Sequence, residues 1–192
     1  MSSSAQTLYQ RYRLTVDDYR RMSEAGIFHD DDRVELIDGE IIKMAPIGSL
    51  HAGTVDQLTR LFILTFGQNA IIRVQNPIVL DDYSEPEPDL ALLTPREDFY
   101  KSSHPTARDL LLVVEIADSS LAYDREVKLP LYARSHIPEV WIVDLENRCV
   151  RVFQDPAEKG FARTRTLAHP YLLTPLRLPG CEIDLSALFR PA

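Results

Sequence analysis

Hydrophobic positions along the chain follow helical spacing in some segments and strand-like alternation in others, which predicts a mixture of helices and strands. Helical spacing covers residues 14–25, 49–66 and 123–135. Thr15 is a candidate N-cap residue for the first helix, and a glycine follows each of the first two helices as a common helix stop. Pro130 is expected to kink the third helix or to remove one of its hydrogen bonds.

Strand-like segments occur in every part of the chain. The first two are separated by Asp38-Gly39, a dipeptide that favours a two-residue hairpin turn. The predicted strands cover residues 33–37, 40–44, 70–76, 78–80, 89–93, 110–117, 140–144, 148–154, 161–167 and 176–178. A short helix over residues 183–189 follows them. This order predicts an α/β (α+β) fold, a mixed sheet flanked by helices with an additional N-terminal helix and hairpin.

Length and composition are those of an ordinary globular domain. The chain has 192 residues, of which 45% are hydrophobic and 26% charged. We expect residues 1–10 to form a disordered tail and residues 11–192 to form a single domain. No apolar run is long enough to span a membrane, and the N-terminus does not resemble a signal peptide. We therefore expect a cytoplasmic protein whose cysteines, Cys149 and Cys181, are free thiols.

The formal net charge of −8 disfavours tight, non-specific binding of nucleic acid without a divalent cation. Four arginines nevertheless cluster late in the chain: Arg148, Arg151, Arg163 and Arg165. They are either a local basic surface for phosphates or the solvated face of the late strands, and the spacing leaves both interpretations open.

Candidate chemistry begins with a carboxylate inside the longest apolar stretch, Glu115 in residues 110–117. A buried, unpaired charge destabilises a protein strongly, so Glu115 requires a cation, a lysine partner or a raised pKa. Asp89 begins another apolar strand. If the two strands pair antiparallel, one register brings both carboxylates to the same face. Mg²⁺ would relieve their repulsion, and it also bridges readily to phosphate.

A third set of polar side chains follows Glu115 along the chain. Asp124, Lys128 and Tyr132 are four residues apart, so on a helix they share one face. Lys128 is therefore able to lean toward the carboxylates. It either orients water and neutralises charge during catalysis, or it serves only as a buried ion-pair partner of Glu115.

Two further residues are candidates for the site. Glu35 lies between apolar neighbours in a predicted strand, so it faces either inward or a surface partner such as Arg33 or Lys43. His51 lies at the start of the second helix. It either lines a cleft or makes a local hydrogen bond.

These residues belong to a set of segments that carries a family resemblance. The set comprises residues 34–42, His51, Pro88-Asp89-Leu90-Ala91, residues 114–120, Asp124, Lys128, Tyr132 and residues 137–144. Together they resemble the Uma2 family of restriction endonucleases, first catalogued as domain of unknown function 820, within the PD-(D/E)XK nuclease superfamily. The resemblance implies a restriction-endonuclease-like fold. It also implies that Asp89 and Glu115 are the motif carboxylates that hold Mg²⁺ or Mn²⁺.

The sequence departs from the superfamily pattern in two places. The standard lysine position, two residues after Glu115, is Ala117, and in this family the lysine is supplied by the following helix, which matches Lys128. Where a serine-proline-serine-like turn is expected, the chain has Asp118-Ser119-Ser120. Ser119 or Ser120 is a candidate to cap the helix or touch a phosphate. Asp118 is either a further ligand or a turn residue.

Three functions are consistent with these observations. The first is a metal-dependent endonuclease acting on nucleic acid, most simply DNA, with Asp89, Glu115, Lys128, Glu35 and His51 in the catalytic site. The second is an inactive protein of nuclease fold that binds nucleic acid or another protein. The third is a hydrolase for a small phosphorylated substrate. The late strands make a homodimer plausible, and no sequence feature decides it.

Overall fold

The described part of the chain begins with the predicted helix. The computed structural model describes residues 11–29 and 31–190, so the predicted tail over residues 1–10 lies outside the described residues. Helix α1 spans Val16–Glu24. Thr15 caps it as predicted, because its hydroxyl accepts from the Asp18 N–H while the Asp18 carboxylate accepts from the Thr15 N–H.

The predicted hairpin follows α1. Strands β1 (Val34–Ile37) and β2 (Glu40–Lys43) pair antiparallel around Asp38 and Gly39. These two turn residues have φ values of 53° and 80°, and a two-residue turn of this hand requires positive φ at both positions. The hairpin therefore holds Glu35 in a fixed orientation on β1.

A six-stranded mixed sheet is the central element, as predicted. After the hairpin its strands are β3 (Ile71–Val74), β4 (Leu90–Leu93), β5 (Leu110–Ala117), β6 (Glu139–Asp144), β7 (Cys149–Ala157) and β8 (Gly160–Leu167). They lie side by side in that order. The β5–β6 pair is parallel and the other four pairs are antiparallel.

Helix α2 (Ser49–Phe66) covers one face of the sheet. Leu58 and Phe62 of α2 belong to the same buried cluster as Leu92 and Val114 of the sheet. Because side chains alternate along a strand, their neighbours point to the opposite face. Asp89 and Glu115 fall on that opposite face, away from the body of α2.

Residues 121–134, which we call the site helix, pack on the second face. The helix has three segments, α3 (Leu121–Tyr123), a π turn (Asp124–Lys128) and α4 (Leu129–Arg134). In the π turn the Leu129 N–H donates to the Asp124 carbonyl. The Pro130 ring would clash with the carbonyl four residues earlier in a regular helix. The wider turn accommodates that ring, so the helix continues through Pro130.

Three sequence predictions are wrong near the ends of elements. Residues 78–80 make only isolated bridges, and residues 176–178 lie in a turn. Residues 183–189 are not one helix. Instead a two-residue strand, Ile183–Asp184, pairs with Leu172–Leu173, and a 3₁₀ turn follows at Ser186–Phe189.

Two predictions about the molecule's chemistry can also be compared with the structure. Cys149 is buried, Cys181 is partly exposed, and both are free thiols as expected. None of the helices within the described residues has the length and apolar character needed to cross a membrane.

Candidate active site

Asp89 and Glu115 lie side by side at one end of the β4–β5 pair. Leu90 pairs with Val114, so the same register places Asp89 next to Glu115. The Asp89 N–H points to Glu115 Oε2 at 3.4 Å, and the Ile116 N–H donates to Asp89 Oδ2 at 2.8 Å. The antiparallel register expected from the sequence therefore brings the two carboxylates together.

Lys128 lies between two buried carboxylates. Its Nζ is 3.2 Å from Glu115 Oε1 and 3.4 Å from Glu35 Oε2. Glu35 is fully buried, so the alternative of a surface ion pair with Arg33 or Lys43 is wrong. Tyr132 also reaches this group, because its hydroxyl donates to Glu115 Oε1 at 2.5 Å.

His51 contacts the other carboxylate of the site. Its Nε2 lies 2.9 Å from Asp89 Oδ1. The same oxygen accepts a 3.1 Å hydrogen bond from Gln75 Nε2. The start of α2 thus extends past the end of the sheet and fixes one oxygen of Asp89.

The remaining predicted residues take different positions around this centre. Asp124 is buried and accepts a 2.6 Å hydrogen bond from the Ser120 hydroxyl. Ser119 and Asp118 line the cavity beside the carboxylates. Ser120 precedes α3 without capping it through its side chain, so its contact is with Asp124 instead.

A cavity of about 330 Å³ opens onto these groups. Carboxylates dominate its polar lining: Glu35, Glu87, Asp89, Glu115, Asp118 and Asp124. The cationic side chains at its surface are Arg33, Lys43 and Lys128. Asp89 and Glu115 form its floor, with side chains only 13% and 4% exposed.

Burial and neighbouring charges shift the pKa values of the ionisable side chains around the cavity. Burial raises the pKa of Glu115 to about 8, against the opposing effect of the Lys128 ammonium. Burial likewise raises the pKa of Asp124 to about 6. Burial disfavours the charged form of Lys128, but Glu115, Glu35 and Asp124 outweigh it and raise the Lys128 pKa. Lys128 is therefore a permanent ammonium and not a base at neutral pH.

For Asp89 and His51, hydrogen bonds and the charge of the partner together have a larger effect on the pKa than burial has. Burial acts against ionisation of Asp89, yet the hydrogen bonds from His51, Ile116 and Gln75 prevail and lower its pKa. The hydrogen bond to Asp89 raises the pKa of His51. Asp89 therefore favours the ionised form, whereas burial favours the neutral form of Glu115.

The chemistry of this floor fits a divalent cation that prefers oxygen ligands. Asp89 and Glu115 present hard carboxylate oxygens to a partly open cavity. Within residues 11–29 and 31–190, no three His, Cys, Asp or Glu side chains are grouped to hold a metal. Two carboxylates completed by water and phosphate oxygens are the usual surroundings of Mg²⁺.

Sequence reasoning missed several residues of the site. Gln75 has a positive φ of 47°, which turns its amide toward Asp89 at the end of β3. Tyr123 donates to Glu35 Oε1 at 3.0 Å, and the Glu87 N–H donates to Glu35 Oε2. Tyr123 had a signal, since it lies on the predicted helix one residue before Asp124. Gln75 and Glu87 carried no comparable signal.

The four late arginines do not line this cavity. Arg151 pairs with Asp144, Arg163 pairs with Asp155, and Arg148 donates to the Phe189 carbonyl. Arg165 is exposed on β8. Within the described residues these arginines lie on or next to β7 and β8 and outside the cavity lining, so they offer this cavity no basic surface.

Comparison with known proteins shows what this chain and its fold are similar to. The Uma2 family model, described as "Putative restriction endonuclease", matches residues 16–186. A solved structure, a putative nuclease belonging to DUF820 from Anabaena variabilis, is similar with a TM-score of 0.68. The match covers 92% of this chain and 97% of that chain at 16% identity, which shows a shared fold and confirms the predicted nuclease fold. No curated protein matches the chain.

Proposed function

The chain belongs to the Uma2 family of putative restriction endonucleases, and from that premise we propose that it hydrolyses phosphodiester bonds of nucleic acid with the help of Mg²⁺ or Mn²⁺. The observation that supports this proposal is the pairing of Asp89 with Glu115 at the floor of a cavity beside the Lys128 ammonium. A recessed cation site next to a fixed positive charge suits a phosphate ester, whose hydrolysis concentrates negative charge on oxygen.

Asp89 and Glu115 would hold the cation. When bound, it would supply Lewis acidity and lower the pKa of a bound water. His51 and Gln75 fix the orientation of Asp89 through one oxygen. Among residues 11–29 and 31–190, the second oxygen accepts a hydrogen bond only from the Ile116 N–H. Asp89 thus keeps accepting capacity on the cavity side.

Lys128 would act on the substrate and not on a proton. Its ammonium is held by Glu115 and Glu35, so it remains charged and in one position. In a recessed cavity such a group stabilises the charge that develops on phosphate oxygens. Tyr132 orients Glu115 from behind by its hydrogen bond to Oε1.

A cleavage assay with matched variants tests the proposal. Purified protein is incubated with plasmid and single-stranded DNA, with Mg²⁺, with Mn²⁺ and with a chelator. We expect cleavage only with metal, loss of cleavage in Asp89→Ala and Glu115→Gln, and unchanged cleavage in Asp56→Ala, which alters an exposed aspartate of α2. Equal rates for Asp89→Ala and wild type would remove the catalytic claim.

The same samples separate the other functions. Salt-sensitive binding of nucleic acid without cleavage would favour an inactive binding protein of nuclease fold. Hydrolysis of a chromogenic phosphodiester without cleavage of DNA or RNA would favour a small-molecule hydrolase. The choice of DNA over RNA, pairing into a homodimer and a cytoplasmic location stay predictions from the sequence. Parallel RNA substrates test the first, and sedimentation over a range of concentrations tests the second.

A further inference from the structure

One side of the active-site cavity is apolar and exposed. Ile42, Met44, Ala45, Pro46 and Ile47, which we call the apolar wall, line the cavity from β2 and the segment after it. Ala45, Pro46 and Ile47 are exposed to solvent, and they line the same cavity as the carboxylates of the floor. A Cβ on Gly48 would lie 3.9 Å from Asp118 Oδ2, so this segment passes close to Asp118. Phosphate chemistry alone does not explain an apolar surface there.

Arg33 places a positive charge next to the apolar wall. Its guanidinium contacts the Ala45 carbonyl at 3.4 Å, and its own carbonyl accepts from the Met44 N–H. Among the described residues it forms no ion pair, whereas Lys128 is bound by two carboxylates. Arg33 is therefore the guanidinium at the cavity surface that is available to a phosphate.

The size of the cavity limits what can enter. At about 330 Å³ it is at the small end of the roughly 300–1,000 Å³ range of ligand sites. The carboxylates at the floor are nearly inaccessible from outside, so a scissile phosphate has to descend into the cavity. This volume is of the order that one nucleotide occupies, whereas a base-paired stretch is several times larger.

Charge and hydrophobicity both disfavour a duplex. A protein that holds duplex DNA neutralises many phosphates with basic residues, and this chain has a net charge of −8 with its late arginines outside the cavity. The faces of paired bases are hidden inside the stack, so an apolar wall would contact little of a duplex. An unpaired base exposes its face and packs against such a wall.

We propose that the cavity takes one unpaired nucleotide, with its base against the apolar wall and its phosphate between Arg33 and the floor. Single-stranded or locally unpaired nucleic acid is then the preferred substrate class. This inference rests on the proposed nuclease function, because it uses the same floor.

Oligonucleotides of one sequence test the preference. The labelled strand is offered alone, in a blunt duplex, and in a duplex with a central unpaired loop, each with Mn²⁺. We expect the single strand to be cut about tenfold faster than the blunt duplex, since one stacked base accounts for that much affinity. Cleavage of the looped duplex should fall within the loop. Equal or faster cutting of the blunt duplex would overturn the inference.

Binding distinguishes failure of this inference from failure of the proposed function. Fluorescence anisotropy of the same oligonucleotides is measured in Ca²⁺. Preferential binding of the single strand without any cleavage would contradict the nuclease function and keep the substrate class. Cleavage of all three substrates at one rate would support the nuclease function and contradict the preference for unpaired nucleic acid. Absence of both binding and cleavage would contradict both.

A matched pair of variants tests the apolar wall itself. Ile47→Asp places a charge where the base would pack, and Ile63→Asp makes the same change at an exposed position of α2 outside the cavity lining. We expect Ile47→Asp to raise KM for the single strand about tenfold with little change in kcat. Ile63→Asp should behave as wild type. Identical KM values for the two variants would contradict a base at the wall.

Discussion

At the scale of single residues, Lys128 is a charge enclosed by protein. Its side chain is 6% exposed and reaches two carboxylates, Glu115 and Glu35. Removal of one partner from such a group leaves an uncompensated buried charge, which destabilises a protein by about 3–5 kcal/mol. The ion pair with Glu115, one of the two interpretations of Lys128 from the sequence, is therefore present, and the proposed catalytic role would use the same contact.

We predict that Lys128→Met lowers the free energy of unfolding by about 3–5 kcal/mol in urea denaturation. Glu35→Gln in the same chain should restore part of the loss, because residue 35 is then neutral and needs no cationic partner. The double variant should be more stable than the sum of the single effects predicts. Lys101→Met, an exposed lysine, is the control. Additive effects would mean that Lys128 and Glu35 do not interact.

Tyr132→Phe tests whether the orientation of Glu115 matters for activity. The variant keeps the buried ring and removes the hydroxyl that donates to Glu115 Oε1. Loss of such an orienting contact reduces metal affinity or activity by about 10- to 100-fold. The measurement is the cleavage rate as a function of Mn²⁺ concentration.

Tyr100→Phe is the matched control for this experiment. It removes another buried hydroxyl, which donates to the Thr94 carbonyl at 2.8 Å outside the cavity lining. Both variants should lose about 1 kcal/mol of stability. A similar activity in both would show that the Tyr132 hydroxyl has a structural role alone.

The sequence predicts the charged residues of the site better than its neutral ones. Glu115 is conspicuous because a carboxylate in an apolar strand needs compensation, and the strand register then brings Asp89 to it. Gln75 gives no such signal in the sequence, because a neutral amide needs no compensating charge and occurs in many positions of a protein. Its role depends on a positive φ at the end of β3, a backbone property that hydrophobic spacing does not encode.

At the scale of elements, the hairpin turn controls the position of Glu35. Gly39 has a φ of 80°, and a Cβ there would lie 2.7 Å from Arg13 Cβ. Both the positive φ and the short distance to Arg13 disfavour any side chain at position 39. The hairpin signal in the sequence was reliable because Asp38-Gly39 fits only a narrow set of turns.

We predict that Gly39→Ala lowers the free energy of unfolding by about 1–3 kcal/mol through backbone strain. Gly53→Ala, in the middle of α2, should have the opposite sign and stabilise by about 1 kcal/mol. A Cβ on Gly53 meets no atom within 4 Å. Thermal unfolding of the two variants measures both effects, and a loss in both would contradict the argument from φ.

The turn between β6 and β7 depends on one ionised carboxylate. Asp144 accepts from the Asn147 N–H at 2.9 Å and pairs with Arg151 at 3.0 Å, while its side chain is 1% exposed. Burial disfavours its ionisation, but the hydrogen bonds from Asn147 and Arg151 outweigh burial and lower its pKa. Its stabilising contribution is therefore complete above the ordinary pKa of 3.8 and is lost as pH falls below it.

Asp144→Asn should lower the free energy of unfolding by about 1.5–3 kcal/mol at pH 7, the range for hydrogen bonds to a charged group. Urea denaturation at a series of pH values measures the difference between this variant and wild type. That difference should shrink as the pH is lowered below 3.8. Glu146→Gln, at an exposed position of the same turn, should show no such trend. A constant difference down to low pH would refute the assignment.

Elements whose apolar residues repeat with a regular period are predicted well. Elements that form only through contacts with a distant part of the chain are not. Helix α2 has the predicted bounds, because its apolar residues repeat with helical period over five turns. The pairing of Leu172–Leu173 with Ile183–Asp184 depends on a partner ten residues away and on only two residues each. The π turn was missed because helical spacing does not distinguish it from an α turn.

At the scale of the whole molecule, both core clusters are built on one sheet. Trp141 on β6 is fully buried in the cluster shared with α2, and the site helix packs on the other face. We predict that residues 11–192 unfold as one cooperative unit. Trp141 fluorescence and far-ultraviolet circular dichroism should give the same urea midpoint. Two separated midpoints would contradict a single domain.

The charges of the molecule are unevenly distributed. Six carboxylates are concentrated around one cavity, and their repulsion is reduced by Lys128 and by the hydrogen bonds of Asp89 and Asp124. Part of the acidity is therefore located at the site, where a bound divalent cation would offset it. A composition alone cannot show where its charges lie.

Strand β8 ends the sheet within the described residues, and most of its side chains are exposed. An outermost strand offers its unpaired amide and carbonyl groups to any other extended chain, which is a route to aggregation. Arg163 and Arg165 alternate there with Thr164 and Thr166. Two copies brought edge to edge would oppose these guanidinium groups, which disfavours pairing of β8 with a second copy of itself.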